Sequence, residues 1–261
     1  MSTPAPVRIL EWRLTVYRHI WWSNVVTSLL QPILYLLAMG LGVGALVNRN
    51  GGSERLLGGV PYIAFVAPGL LATTAMMVAG IEGLWPVHDA MKWGRQFEAM
   101  SATPLQPGDI VVAHVLWLMF RAGTAAALVA VAMAFFPDVR SWGLIAAVPA
   151  AMLSGVAFGM SLSAWGVSRE REISFPVIQR FVIVPLFLFG GAFFPLSQLP
   201  IGIRIIGYVS PLWHGVEMCR SWVSGTDMTA LAAVGHTAYL LVWVVVGAVL
   251  MRRLAKQRLF A

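Results

Sequence analysis

The sequence predicts an all-α membrane protein with six transmembrane helices, an N-terminal amphipathic interfacial helix, a short cytoplasmic helix after the second span and short external helices before the last. Three observations predict it. Of 261 residues, 59% are hydrophobic and 11% charged, with a mean hydropathy of +0.78. A soluble domain carries about 25% charged residues, so much of this surface must face lipid. Six apolar runs, 25–46, 62–83, 111–136, 142–167, 175–194 and 230–251, are each long enough to cross about 30 Å of hydrocarbon. Pro32, Gly40, Gly42, Gly44, Pro149, Pro176 and Pro185 lie inside those runs. Such residues argue against soluble core helices, but membrane helices tolerate them because neighbours resatisfy the backbone. The six spans leave no room for a large soluble domain, so residues 1–261 read as one transmembrane domain.

The elements follow in order. Residues 4–22 hold Arg8, Glu11, Arg13 and Arg18, too many charges for hydrocarbon. Val7, Leu10, Leu14, Tyr17 and Trp21 recur there at helical spacing and predict a helix lying in the interface. A secretory signal would need a short charged start, an apolar run and a small-residue cleavage site, so the first span is expected to stay in the mature protein. Between spans two and three, Trp93, Phe97 and Met100 fall at i, i+4, i+7 and stop at Thr103-Pro104, where the residue before proline resists the helical region. They are expected to share one face of a short helix. Residues 195–228 are broken by Pro195, Pro200 and Pro211 and predict two short helices, 201–209 and 212–223, that dip into or lie on the outer leaflet.

Charge sets the orientation. With the N-terminus inside, twelve Lys and Arg fall on cytoplasmic segments. Five, Arg49, Arg55, Arg140, Arg204 and Arg220, fall outside, which favours both termini in the cytoplasm. The +7 net charge is therefore topology rather than a nucleic-acid footprint. Arg121 stands within the third run, where an unpaired charge costs about 2.5–3.5 kcal/mol; it either snorkels to the cytosol or faces a protein interior. Arg180 is expected to snorkel, Glu82 to pair with Arg95 or Lys92, and Glu217 with Arg220 three residues on.

Much chemistry is excluded. A phosphate loop needs GK[ST], and Lys92 and Lys256 both lack that context. His19, His88, His114, His214 and His236 are scattered, with no HExxH or CxxC, so neither a metal nor another cofactor is expected in this chain. Cys219 is alone and reads as a small buried residue. Ser161 in the fourth span and His236 in the sixth are placed as in rhomboid intramembrane proteases, but Leu162 and Gly235 depart from that pattern. An ATP-independent carrier should show a repeat between halves, and none is evident.

Three stretches settle the choice. Phe97-Glu98-Ala99-Met100-Ser101-Ala102-Thr103-Pro104-Leu105 precedes Gly108-Asp109-Ile110-Val111. Pro185-Leu186-Phe187-Leu188-Phe189-Gly190-Gly191-Ala192-Phe193-Phe194-Pro195-Leu196 is followed by Leu199-Pro200. Ser210-Pro211-Leu212-Trp213-His214-Gly215-Val216-Glu217 runs on to Arg220. In this order and in these loops, they resemble the type-2 ABC export permeases, nearest their nodulation lipo-oligosaccharide and drug-export branches. A serine common in that family is absent at Phe189 and Gly190.

The resemblance implies a non-enzymatic permease subunit of an exporter in a bacterial inner membrane, moving an amphipathic, lipid-linked or drug-like substrate. ATP and magnesium would sit on a partner ABC ATPase, and a second copy or a related permease would complete the dimer. It implies ATPase coupling through Trp93, Arg95, Phe97, Glu98, Met100, Thr103 and Pro104. It also implies an external gate around Phe193, Phe194, Pro195, Pro200, Pro211, His214, Glu217 and Arg220.

In a Cys219→Ala background, single cysteines at positions 95 and 171 are expected to react with impermeant maleimide only from the cytoplasmic side. Cysteines at 50, 140 and 198 should react from outside. Labelling of position 95 from outside would reverse the orientation.

Overall fold

A computed structural model of the chain describes residues 4–49, 51, 57 and 59–259. Asn50 and Arg55 lie outside the described residues. Those described are helical with short connectors and no strand, and six helices among them are long and apolar enough to cross a membrane.

Helix α1 (Ala5–Tyr35) continues through a π-helical stretch, Leu36–Val43, into α2 (Gly44–Arg49). The interfacial helix expected over 4–22 and the span expected over 25–46 are therefore one rod. Its 43 residues from Ala5 to Val47 extend about 65 Å at 1.5 Å per residue. No glycine or proline interrupts residues 7–31, so the backbone has no reason to break. Pro32 lacks the N–H that would bond Ser28, and the helix widens beyond it, with Gly44 N–H bonding Met39 O five residues back.

The second span, α3 (Tyr62–Lys92), runs nine residues past its apolar window before Arg95, in the left-handed region at φ 48°, turns the chain into α4 (Gln96–Ser101). Helices α5 (Pro107–Met133) and α6 (Gly143–Ser168) form the third and fourth spans. The fifth is broken: a 3₁₀ turn (Glu172–Ser174), α7 (Phe175–Ile178), a π-helical Gln179–Ile183 and α8 (Val184–Phe189). It ends at Gly190 rather than at 194, because Gly191 turns at φ 90°. Then come α9 (Ile201–Val209), α10 (Pro211–Ser224) and the last span, α11 (Ala230–Leu259).

Helix α3 is the central post. Its most apolar window is 89% buried, against 17–18% for the first, fifth and last spans. It lies flush on α6 because both carry small residues every fourth position: Ala75, Ala79 and Gly83 face Gly155, Gly159 and Ser163. A methyl added at Gly159 would stand 2.8 Å from Ala79 O, and one at Gly83 2.6 Å from Gly159 O. Without a hydrophobic drive between helices in lipid, this close backbone contact is what dispersion requires. Helix α10 packs against both α3 and α6, with Ser154 donating to Pro211 O at 3.1 Å and buried Cys219 to Ala147 O at 3.4 Å. It is thus inserted in the bundle, whereas α9 lies outside it with Ile201, Ile205, Ile206 and Val209 exposed.

Gly159→Leu is expected to cost at least about 1–3 kcal/mol by overpacking, seen as a lower melting temperature or loss of the monodisperse peak. Gly235→Leu, where an added Cβ meets nothing within 4 Å, should be silent.

Candidate functional site

Helix α1 is inverted relative to a soluble amphipathic helix. Trp12, Val16, Ile20, Trp22, Val26, Leu30 and Leu34 are exposed, while Arg13, Tyr17, Asn24 and Ser28 turn inward. Of the stripe read from sequence, Val7, Leu10, Leu14 and Tyr17 are half-buried, and Trp21 lies on the exposed side.

The inward face meets the intramembrane charge. Arg121 stands fourteen residues into α5, about 21 Å along the axis, and is 7% exposed. Its Nε donates to Glu82 Oε1 at 2.7 Å, one terminal nitrogen to Tyr17 Oη at 3.0 Å and the other to Asn24 Oδ1 at 2.8 Å. Trp117 Nε1 donates to Glu82 Oε2 at 3.0 Å. Of the two placements open for Arg121, the protein interior holds. The expected pairing of Glu82 with Arg95 or Lys92 is corrected. Because α3 runs on to Lys92, Glu82 sits well inside the helix, and ten residues, about 15 Å, separate it from Lys92. Arg95 instead lies 3.6 Å from Glu98, both exposed. Arg180 is exposed on the fifth span.

Beside this network is a cleft of about 240 Å³ between α1, α3 and the fifth span. Asn24, Thr27, Ser28 and Gln31 of α1 line one wall, and Thr74, Glu82 and Arg121 the other. Tyr35 and Phe187, with ring centroids 5.4 Å apart, line one end, and Phe193 packs against both. Thr27 and Gln31 are exposed within a stretch otherwise fit for lipid. Thr27 Oγ1 finds its partner in its own helix, donating to Ser23 O at 2.9 Å, whereas the Gln31 amide at that depth needs water or another protein group.

A second polar chain ties α1 to the core. Arg13 donates to His114 Nδ1 at 3.1 Å, His114 Nε2 meets Ser163 Oγ at 2.8 Å, and Ser163 Oγ donates to Gly159 O at 2.7 Å. A guanidinium only donates, so His114 accepts at Nδ1 and donates at Nε2. The imidazole Nε2–H therefore donates a hydrogen bond to the serine oxygen and has no lone pair there to accept the serine's proton, the reverse of a hydrolytic dyad. The residues weighed for a protease are bonded elsewhere: Ser161 to Ala157 O at 3.1 Å and His236 to His214 at 2.7 Å.

In the connector, Trp93, Phe97 and Met100 do not share an outward face. Phe97 is 1% exposed and anchors α4 in the chain's own core, with half-buried Met100 beside it. Trp93 precedes α4, is 73% exposed, and donates to Glu172 Oε2 at 3.2 Å. The spacing was right for a helix, but the turn at Gly94-Arg95 breaks it after Trp93. What α4 and the turns at its two ends present outward is Arg95, Glu98, Ala99, Ala102, Thr103 and Pro104. Thr103 Oγ1 caps Met100 O at 2.6 Å, and Gln106 and Asp109 form a capping box that starts α5.

At the opposite end, Arg220 donates to Glu217 at 2.6 Å, as expected, and also to Gly191 O at 2.8 Å, with its guanidinium 3.9 Å over the Phe65 ring. It thus pins the turn after the fifth span onto α10. Phe193 is buried and Phe194 exposed. Pro195 precedes a 3₁₀ turn, and Pro200 and Pro211 start α9 and α10. His214 stacks on Tyr239 and donates from Nε2 to Tyr208 O at 3.1 Å. Burial and the adjoining His236 push its pKa down to about 4.

Sequence reasoning missed Asn24, Glu82, His114 and Ser163 as partners. A signal existed: Arg13, Tyr17, Asn24, Ser28 and Gln31 follow helical spacing once 4–46 is taken as one helix. Arg121→Met alone is expected to cost about 3–5 kcal/mol by stranding Glu82. Arg121→Met with Glu82→Gln should recover most of it in a thermal-melt comparison, and equal losses in single and double variants would deny the coupling.

Residues 7–223 match the family described as ABC-2 type transporter. Nodulation protein J of Rhizobium leguminosarum bv. trifolii is 32% identical over 98% of this chain and 97% of its own length. Nodulation protein J of Sinorhizobium fredii (strain NBRC 101917 / NGR234) is 33% identical over 76% of this chain and 73% of its own. The inner membrane transport permease YadH of Escherichia coli K12 is 24% identical over 79% and 74% respectively. With six spans, an intramembrane ion-pair network and a match over most of its length, this chain is a multi-pass permease that belongs to the ABC-2 type transporter family.

Proposed function

We propose that this permease is the membrane half of an ATP-driven exporter in a bacterial inner membrane, with both termini cytoplasmic. It acts with an ABC ATPase and a second permease copy or a related one. The observation that carries this reading is the cleft: Thr27 and Gln31 are exposed at membrane depth beside Glu82 and Arg121. Thr27 bonds back to Ser23 O and Asn24 O within its own helix, but the Gln31 amide would be unsatisfied facing lipid and is not when it faces a second subunit across a hydrated path. The polar wall, with Leu70, Met77 and Phe187 alongside, suits a substrate with a polar head and an apolar body, either lipid-linked or drug-like. Tyr35, Phe187 and Phe193 would close its outer end.

ATP and magnesium belong to the ATPase subunit, which docks on Arg95, Glu98 and the Ala102–Pro104 turn. The helix carrying those groups is fixed to the permease core by Phe97, so a push on α4 moves α3 rather than folding the connector. Helix α3 carries Glu82, and Glu82 holds Arg121 and, through it, α1. Closure of the ATPase pair thereby reaches the cleft without a covalent step in this chain.

Glu98→Arg is expected to leave insertion intact while ATPase co-purification and export both fall about tenfold, the loss of one charged contact. Gln31→Leu should lower export with the ATPase still bound, and Asp138→Arg, in the connector at the other end, should change neither. Full co-purification and export in Glu98→Arg would remove the docking assignment. Unchanged export in Gln31→Leu would remove the cleft from the path.

A further inference from the structure

We infer that a groove between the outer ends of α5 and α6 is a binding site for one anionic phospholipid, its phosphate at Arg140 and an acyl chain lying along the two helices. The groove holds about 650 Å³ and shares no lining residue with the polar cleft. Small side chains on α5 and at its end leave it open: Ala127, Ala130 and Ala134 line one side with Val131, and Ile145 and Val148 of α6 the other. From Ala127 to Ala134 it runs about 10 Å along α5, roughly the outer third of the hydrocarbon layer.

Its depth is fixed by the connector. Phe135 and Trp142 are 82% and 88% exposed, and the amphipathic ring of an exposed tryptophan beside an apolar run sits at the headgroup level. Arg140, between them in sequence, is exposed at the groove's rim with no hydrogen bond or ion pair from its guanidinium among the described residues. Asp138, two residues earlier, makes no ion pair with it.

Ser141 lines the same groove, and its Oγ is buried without a hydrogen-bond partner. A free guanidinium and an orphan hydroxyl above an apolar channel one chain wide match a phosphate with its acyl tail. A detergent without a phosphate would fill the channel and leave the charge unanswered, and a zwitterionic lipid would bring a phosphate but set its own cation against the arginine. A net negative headgroup such as phosphatidylglycerol answers it, because no compensating amine opposes the arginine. The inference holds whichever molecule the permease exports.

The test is native mass spectrometry of the purified full chain, titrated with phosphatidylglycerol and phosphatidylcholine of identical chains. Wild type is expected to retain one phosphatidylglycerol in preference. Arg140→Gln should weaken that retention about tenfold, as for one lost charge-assisted hydrogen bond, and Arg140→Lys should restore part of it. Ala127→Leu, which fills the channel, should remove both lipids. Equal retention of the two lipids by wild type, or a preference unchanged in Arg140→Gln, would overturn the assignment. Melting temperatures of the variants exclude misfolding as the cause of a loss.

Discussion

Arg121 stands where a lone charge is poorly tolerated, and groups on three helices are arranged to meet it. Glu82 supplies the counter-charge from α3, Tyr17 and Asn24 supply acceptors from α1, and Trp117 donates to the free oxygen of Glu82. Attraction in a low-dielectric interior is strong, but so is the desolvation it must offset. The network is therefore better seen as a fixing device than as a source of net stability. Together with the Arg13–His114 bond, it fixes the rotation of α1, whose lipid-type face points away from the bundle. The polar cleft exists because that rotation turns Asn24, Thr27, Ser28 and Gln31 toward α3.

From this follows a division of labour. Helices α3 and α6, joined through small residues, form a stiff pair into which α10 is wedged. The first, fifth and last spans are mounted on it with most of their surfaces free. On the coupling proposed above, a displacement entering at α4 would be received by Phe97 in the core and passed to α3, which close packing joins to α6. Elements with little burial are the ones that can move at low free-energy cost, and two of them, the first and fifth spans, border the cleft.

Apolar run length made the six spans legible, and Pro200 and Pro211 bracketed α9 and α10 to within a residue or two. The boundaries that failed share one cause. An apolar window measures what can enter hydrocarbon, whereas a helix ends only where its backbone hydrogen bonds do. Arg8, Glu11, Arg13 and Arg18 split α1 in the sequence, although no backbone breaker lies there. Ending α3 at 83 brought Glu82 toward Lys92 and hid its partner on α5. Phe97 shows the same limit in another form: periodicity identifies a helix face but not whether that face meets its own core or a partner. The Glu217–Arg220 pair was legible because it lies within one helix turn, whereas Arg13–His114–Ser163 joins three helices and leaves no local trace.

The fifth span spans 18 residues from Glu172 to Phe189, about 27 Å if fully extended as an α-helix. That falls short of the roughly 30 Å hydrocarbon layer even with no tilt. Prolines at 176 and 185 and the intervening π-helical turn shorten its regular hydrogen bonding further. A short span draws the bilayer in, at a cost of fractions of a kcal/mol for each ångström of mismatch. A bilayer drawn in to match this span would be thinnest along one wall of the cleft, and its thickness would then act on the resting shape of this permease.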